Sequence, residues 1–360
     1  MRYRPSSPPD GGRIPVTILG ATGAVGQRFV ERLARHPWFR IASLCASNRS
    51  AGNTYQQATD WIMDSPIPPN IAGMQVRECT PDVPGSIAFS ALDSSVAGEL
   101  EETFAENGYA VVSNARNHRM DPDVPLLIPE VNSDHLRIIR QQRYEAGCII
   151  TNPNCSTVGI VMALKPLLDK FGIELVDVTT LQAASGAGNP GVSSNRLIDN
   201  TIPTIDGETA KIETEPLKLL GEFRDGAIHP ADMRISAQVN RVPVRDGHTA
   251  NIKLKLRAHA SPEDVRQALE AYESPLASLN LPSAPGRPLR TSRDPSFPQP
   301  YFHRNAGGGM AVSVGPVTPC NVLDYKFAVL SHNTVRGAAG AAILNAELLV
   351  RSKLLSLLRQ

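Results

Sequence analysis

The chain lacks any strong imbalance of charge. Its 360 residues carry 36 Lys plus Arg against 35 Asp plus Glu, a net charge of +1 with His neutral, so no global field draws it to nucleic acid or to an anionic membrane. No run of eighteen apolar residues occurs, and the opening MRYRPSSPPDGGRIP sets Pro, Gly and Ser where a signal peptide needs an apolar core. Cysteine is scarce and scattered. Cys45, Cys79, Cys148, Cys155 and Cys320 are odd in number and free of CxxC spacing, which argues against a disulfide framework or a zinc site. A reducing compartment follows, in which any functional thiol acts alone. These absences predict a cytoplasmic protein with a flexible N-terminus over 1–15, no membrane association and no bound metal. No internal repeat stands out.

What is present supports a folded chain. Hydrophobic residues make up 41% and charged residues 20%, ordinary globular usage, and the length exceeds what one core usually serves. Two domains are expected. From Val16 the chain reads VTILG, a short apolar strand, then ATGAVG, then QRFVERLARH with Val25, Phe29 and Leu33 four apart on one helical face until Pro37. IASLCAS, SIAFSAL, AVVSN and CIIT read as further buried strands, with GELEETFAEN as a helix among them. Strands alternating with helices imply an α/β, Rossmann-like, doubly wound parallel sheet.

After Thr151 the pattern changes. IELVDVTTLQA, RISAQVNRVPV, TANIKLKLRAHA, GMAVSVGPV and NVLDYKFAVLS alternate with period two, which predicts an α+β domain with a largely antiparallel sheet covered by helices on one face. The covering helices are STVGIVMALKPLLDKF, ETAKIETEPLKLLGEF and PEDVRQALEAYES, the last with Ser261 as N-cap and Pro262 at its first position. Prolines crowd 274–300, which predicts an extended surface loop. The C-terminal RGAAGAAILNAELLVRSKLLSLL is helical and is expected to return to the first domain. The expected division is therefore 16–154 plus 335–360 for a dinucleotide-binding domain and 155–334 for a catalytic and dimerisation domain.

Gly20, Gly23 and Gly26 in GATGAVG sit between a strand and a helix, where bare backbone and a helix N-terminus solvate a pyrophosphate; a plain tight turn would use the same glycines. The second strand ends in ASNRSAG, without the acid that holds a ribose 2′-hydroxyl but with Asn48, Arg49 and Ser50, which favours a 2′-phosphate and hence NADP over a merely solvated arginine. In ITNPNCSTVGIVMAL, Cys155 lies between a buried strand and an apolar helix. Amides of a first helical turn lower a thiol pKa, so Cys155 is the candidate nucleophile, whereas Cys45 and Cys148 lie inside apolar strands. His248, in DGH at a strand start, is the candidate proton partner, although a loop histidine taken alone is usually solvated. Arg241 alternates with apolar neighbours and suits bidentate capture of a carboxylate, or a surface ion pair. Glu208 and Lys211 share a helix face, either as a simple ion pair or as acceptor and cation for a zwitterionic ligand. Arg116 and Arg119 in SNARNHRM offer further anion binding.

Taken together the chain resembles the aspartate-β-semialdehyde dehydrogenase family, in its fungal and archaeal branch. GATGAVG, SNARNHRM with PLLIPEVN, NPNCSTVG, LQAASGAG, ETAKI, RVPVRDGHT, GGGMAVSVG and HNTVRGAAG stand in family order from Val16 to the C-terminal helix. The resemblance implies reversible, NADP-dependent conversion of L-4-aspartyl phosphate to L-aspartate 4-semialdehyde through a thioester on cysteine, on the route to lysine, threonine and methionine. It implies Cys155 as nucleophile and His248 as acid/base catalyst. Asn154 and Gln182 would orient the reacting group, Arg241 would hold the substrate carboxylate, Glu208 its amino group, and Lys211 and Arg119 phosphate. For the cofactor it implies Gly20, Thr22, Gly23, Ala24, Val25 and Gly26, the stretch Ser47, Asn48, Arg49 and Ser50, and Ser90, Ser185, Gly186 and Asn333. Pro316 after GMAVSVG and the loop SFPQPYFHR depart from the family pattern, outside the inferred chemical site. A dimer or tetramer is expected.

An NADPH-dependent malonyl-CoA reductase of the same fold is the alternative; it would keep Cys155 and His248 but needs no Glu208 aimed at an amino group. N-acetyl-γ-glutamyl-phosphate reductase ranks below it, because its nucleophile segment reads closer to NPGCYPT. A cofactor-sensing regulator on an inactive scaffold is a third class, disfavoured by the presence of both Cys155 and His248.

Overall fold

Short apolar runs separated by amphipathic ones build the first sheet. In the computed structural model, which describes residues 12–188, 191 and 194–354, it holds β1 (Ile14–Leu19), β2 (Phe39–Ala46), β3 (Val76–Glu78), β4 (Ile87–Ser90), β5 (Ala110–Ser113) and β6 (Cys148–Thr151). All run parallel in the order 3-2-1-4-5-6. The order reverses between β1 and β4, so the crevice at their carboxyl ends is where such sheets bind ligands. Val16, Ile18, Ile87 and Phe89 pack with Phe29, Val30 and Leu33 of the helix Ala24–Leu33, the face its four-residue spacing predicted. β3 was not anticipated: of its three residues only Val76 is buried, too little for a readable period. The expected flexible segment falls largely at 1–11, outside the described residues.

The second sheet follows period two. It contains β7 (Ile173–Gln182), then, after a separate ribbon of β8 (Glu222–Arg224) and β9 (Ala227–His229), β10 (Arg234–Arg241), β11 (His248–Leu256), β12 (Leu289–Thr291), β13 (Val312–Val314), β14 (Thr318–Pro319) and β15 (Tyr325–Ser331). The order is 10-7-11-15-13-12 with β14 on β15. Pairing is antiparallel except for β10 with β7 and β12 with β13, so the sheet is mixed and mostly antiparallel. Val176, Val178, Ile252 and Leu254 face the helices Thr157–Phe171, Glu208–Leu219 and Pro262–Glu270. The other face is half open, with Leu175, Arg234, Ser236 and the pair Lys253–Asp177 at 2.6 Å. Ser261 caps its helix as expected: its Oγ accepts from the Asp264 amide (3.1 Å), and Asp264 accepts from the Ser261 amide (2.9 Å).

The proline-rich segment runs over the surface as expected but is anchored at a few points. Leu276 and Leu281 are buried in the core of the first sheet and Leu289 in that of the second, and the Ser283 amide donates to Glu347 (3.0 Å). Apolar residues spaced along an otherwise extended chain make it a strap across both cores. The chain then returns to the first sheet: a turn at Val335–Ala339 leads into the helix Gly340–Arg351, whose Ile343, Leu344 and Leu349 join that core. Small residues allow the approach, since a Cβ on Gly340 would lie 2.6 Å from Met310 Sδ.

Candidate active site

At the carboxyl end of β1, Gly20 adopts φ +77°, and a Cβ there would lie 2.6 Å from the Ala91 carbonyl oxygen. A Cβ on Gly26 would lie 2.1 Å from the Gly20 oxygen. Only glycine fits either position, and the result is bare backbone leading into a helix whose N-cap, Gly23, brings no side chain to the first-turn amides. That cradle fits a pyrophosphate. Ala24 and Val25 line the adjoining cleft, and Thr22, just before them, is half-buried. At the end of β2 the Ser47 carbonyl accepts from the Ser50 amide (2.8 Å), a turn that leaves Ser47, Asn48 and Arg49 exposed. Ser90 is placed differently from the expected cofactor contact. It is fully buried and does not line the cleft, because its hydroxyl donates to Glu101 (2.6 Å), which also accepts from Ser113 (2.7 Å).

The cleft, about 360 Å³, lies between the two sheets and is lined by Arg116, Arg119, Asn154, Cys155, Ser185, Gly186, Glu208, Lys211 and Asn333 among others. Cys155 occupies the turn between β6 and the helix Thr157–Phe171. The expectation that this helix would hold the sulfur as thiolate is not met. Asn154, two residues before the N-cap Ser156, takes up the first amides: its Oδ1 accepts from Ser156 (2.9 Å) and Thr157 (3.4 Å), and its carbonyl accepts from Val158 (3.3 Å). Burial, and then the charge of Glu208, push the thiol up to about 12, against the opposing pull of Arg119, Arg241 and Lys211. The Cys155 amide keeps no protein partner among the described residues and is the free donor beside the sulfur.

Glu208 is the hub of the polar wall. Its carboxylate accepts from Asn154 Nδ2 (2.9 Å), Gln182 Nε2 (3.2 Å) and Lys211 Nζ (2.7 Å). Burial alone would raise it, but Lys211 and these hydrogen bonds outweigh that and hold it below the usual carboxylate range. Both sequence readings of Glu208 and Lys211 therefore hold together: they pair, and they line the cleft. Arg116 is exposed at the mouth, its guanidinium near Gly207 at the start of the same helix. Arg119 is less available than expected. Its Nη1 donates to Glu215 (2.8 Å) and its Nη2 to the Asn114 carbonyl (2.7 Å), so it supplies charge while its terminal nitrogens are engaged.

His248 begins β11, and its Nε2 lies 3.2 Å from Cys155 Sγ while its Nδ1 accepts from the Ala183 amide (2.9 Å). Burial, then the charge of Arg241, push the imidazole down to about 3. Arg241 is buried beside it with Nη1 donating to the Ala183 carbonyl (2.8 Å). Gly186 has no room for a side chain: a Cβ would lie 2.7 Å from Arg241 Nη1 and 3.0 Å from His248 Nε2. Asn333 ties this edge together, donating to Ser185 Oγ (2.8 Å) and accepting from the Gly247 amide (2.8 Å).

The halves of the chain match two family models, "Semialdehyde dehydrogenase, NAD binding domain" over residues 15–139 and "Semialdehyde dehydrogenase, dimerisation domain" over 164–336. Aspartate-semialdehyde dehydrogenases of Archaeoglobus fulgidus and Schizosaccharomyces pombe are 46% and 47% identical, over 95% and 94% of this chain and 100% and 99% of theirs. The chain belongs to the aspartate-semialdehyde dehydrogenase family. It is thus an oxidoreductase with a Rossmann-like dinucleotide domain. Among solved members, that of Candida albicans with NADP is 43% identical with a TM-score of 0.87, covering 94% of this chain and 98% of that one. A Vibrio cholerae aspartate semialdehyde dehydrogenase II complexed with ASA is 28% identical with a TM-score of 0.75, covering 94% and 99%. Among the described residues no helix is long and apolar enough to cross a membrane.

In this dehydrogenase the sequence reading missed three positioning groups. Glu215, buried, accepts from the Asn154 amide (2.7 Å) as well as from Arg119, and so fixes the cysteine turn. It lies seven residues after Glu208 on one helical face, a spacing that identifies it. Gly337 abuts Cys155, since a Cβ there would lie 2.7 Å from Cys155 Cβ. Lys218, also on that face, donates to the carbonyls of Arg119 (2.8 Å), Asp121 (2.7 Å) and Val124 (2.8 Å), holding the arginine loop.

Proposed function

We propose that the chain catalyses the reversible, NADP-dependent reductive dephosphorylation of L-4-aspartyl phosphate to L-aspartate 4-semialdehyde through a thioester on Cys155. The observation that carries this is the Cys155–His248 contact at 3.2 Å in a cleft whose wall offers one carboxylate and several cations. Glu208 receives the substrate ammonium, Arg241 its carboxylate, and Lys211 and Arg116 its phosphate, with Arg119 adding charge. Asn154 and Gln182 hold Glu208 and thereby aim the substrate. An ammonium beside Glu208 also neutralises a charge that raises the Cys155 thiol, so substrate binding itself favours thiolate. The Cys155 amide then faces the oxygen on which charge develops.

When bound, the dinucleotide supplies the hydride that reduces the thioester carbonyl. The Gly20–Gly26 cradle would hold its pyrophosphate, and Ser185, Gly186 and Asn333 border its reactive end. Arg49, exposed and without a neighbouring acid in the Ser47–Ser50 turn, favours the 2′-phosphate of NADP. Residues 16–154 with 335–360 serve the cofactor and 155–334 the substrate. Self-association uses the half-open face of β7, β10 and β11 with the exposed Val322, which a second copy would cover. The enzyme works in the cytoplasm, in amino-acid biosynthesis.

The test is phosphate-dependent NADP reduction with L-aspartate semialdehyde, beside NADPH oxidation with malonyl-CoA. Activity with malonyl-CoA alone would replace this reading by the acyl-CoA one. Mass spectrometry of enzyme quenched with aspartyl phosphate, without NADPH, is expected to find the acyl group on Cys155.

A further inference from the structure

In the turn 20–23, all but one of the backbone polar groups are bonded within the protein. The Gly20 and Ala21 amides donate to the Cys45 carbonyl (both 2.9 Å), the Gly23 amide to the Gly20 carbonyl (3.2 Å), and the Gln27 amide to the Gly23 carbonyl (2.8 Å). Side chains take the two remaining carbonyls. The Tyr55 hydroxyl donates to that of Ala21 (2.9 Å) and Gln27 Nε2 to that of Thr22 (2.9 Å). The Thr22 amide alone is left without a protein partner among the described residues. Its direction is set by the tyrosine. Across a trans peptide the N–H points opposite to the carbonyl before it, so an Ala21 oxygen drawn to a side chain buried in the first core turns the Thr22 N–H out of that core.

Tyr55 and Gln27 are both fully buried, and both are held by the segment 54–62. The Tyr55 amide donates to the Met74 carbonyl (2.8 Å) and its ring meets that of Trp61 edge-on at 6.2 Å. Gln27 Nε2 also donates to the Asp60 carbonyl (2.9 Å), and its Oε1 accepts from the Ile62 amide (2.8 Å). We propose that Tyr55 and Gln27 are positioning residues for the dinucleotide, holding the Ala21 and Thr22 carbonyls inward so that the Thr22 amide joins the first-turn amides of the following helix as a donor to the pyrophosphate. This rests on the cradle reading above: the glycines make room for phosphate, and these two side chains aim the backbone at it. A flip of the Ala21–Thr22 peptide would put a carbonyl oxygen in place of the donor, and that oxygen repels phosphate.

Calorimetric titration of ligand-free enzyme with NADP and with adenosine 2′-phosphate, which carries the 2′-phosphate but no pyrophosphate, separates this role from mere support of the fold. Tyr55→Phe, which removes only the hydroxyl, is expected to raise Kd for NADP by roughly three- to tenfold and to leave that for adenosine 2′-phosphate within about twofold. Gln27→Met, similar in length but unable to hold the Thr22 carbonyl, is expected to show the same selective loss; should its unpaired backbone groups unfold the chain, Tyr55→Phe decides alone. No loss for NADP in Tyr55→Phe, or equal losses for both ligands, would overturn the proposal. Wild-type enzyme that binds adenosine 2′-phosphate as tightly as NADP would instead overturn the cradle reading, and this proposal with it.

Discussion

Cys148 and Cys155 lie seven residues apart, one inside β6 and one in the turn that follows, and burial pushes both thiols up to about 12. Only their surroundings differ. Burial is the whole cause at Cys148, among apolar neighbours of the first core. At Cys155 a carboxylate opposes three cations, an imidazole touches the sulfur, and the cleft opens beside it. A thiol's ionisation by itself therefore does not mark the proposed nucleophile; the groups that a ligand would neutralise or recruit do.

The harshest way to break the comparison is to replace each sulfur in turn. Cys155→Ser is expected to lower kcat by roughly 10⁴-fold or more with the fold intact, because a serine hydroxyl ionises far less readily. Cys148→Ser should leave kcat within about twofold and lower stability by about 1–3 kcal/mol, since its hydroxyl would be buried without a partner. Steady-state kinetics and urea unfolding read the two; equal kcat losses would erase the distinction. A smaller effect tests the cations around Cys155. Arg241→Ala should raise KM for the semialdehyde by roughly 10²-fold with a lesser change in kcat, and a pure kcat loss would remove its binding role.

Away from the thiols, Arg49→Ala should raise KM for NADP by roughly 10- to 100-fold and leave that for NAD nearly unchanged, as separate titrations would reveal. The smallest effect is one the two cysteines should share. A folded-state pKa near 12 against roughly 8.5 unfolded means that the unfolded chain loses protons first as pH rises, so stability falls above about pH 8.5. Cys148→Ala and Cys155→Ala should each make that fall shallower, by at most about 1.4 kcal/mol per pH unit, in denaturant curves at pH 8 and 10. A steeper fall in either variant would reverse the sign argued here.

Strand–helix alternation before Thr151 and period two after it were legible because local spacing and burial coincide there. The glycine turn, Cys155, His248 and the Glu208–Lys211 face were legible for the same reason: each lies at an element's end or on one helical stripe. What escaped depends on contacts distant in sequence. Asn154 takes up amides at the start of the helix that was expected to serve the sulfur, Ser90 turns to Glu101 and away from the cleft, and the Ala183 amide meets a histidine 65 residues on. No periodicity encodes those partners.

The strap from Leu276 to Leu289 has a consequence for the catalytic cycle. Leu276 and Leu281 are seated in one core and Leu289 in the other, so lobes swinging apart by several ångströms would draw a leucine into water. Each such exposure costs about 2 kcal/mol, holding a widely opened form to a few per cent of the molecules or fewer. On the proposed reading, ligands would exchange past Arg116 with the two cores held at a nearly constant separation by this strap.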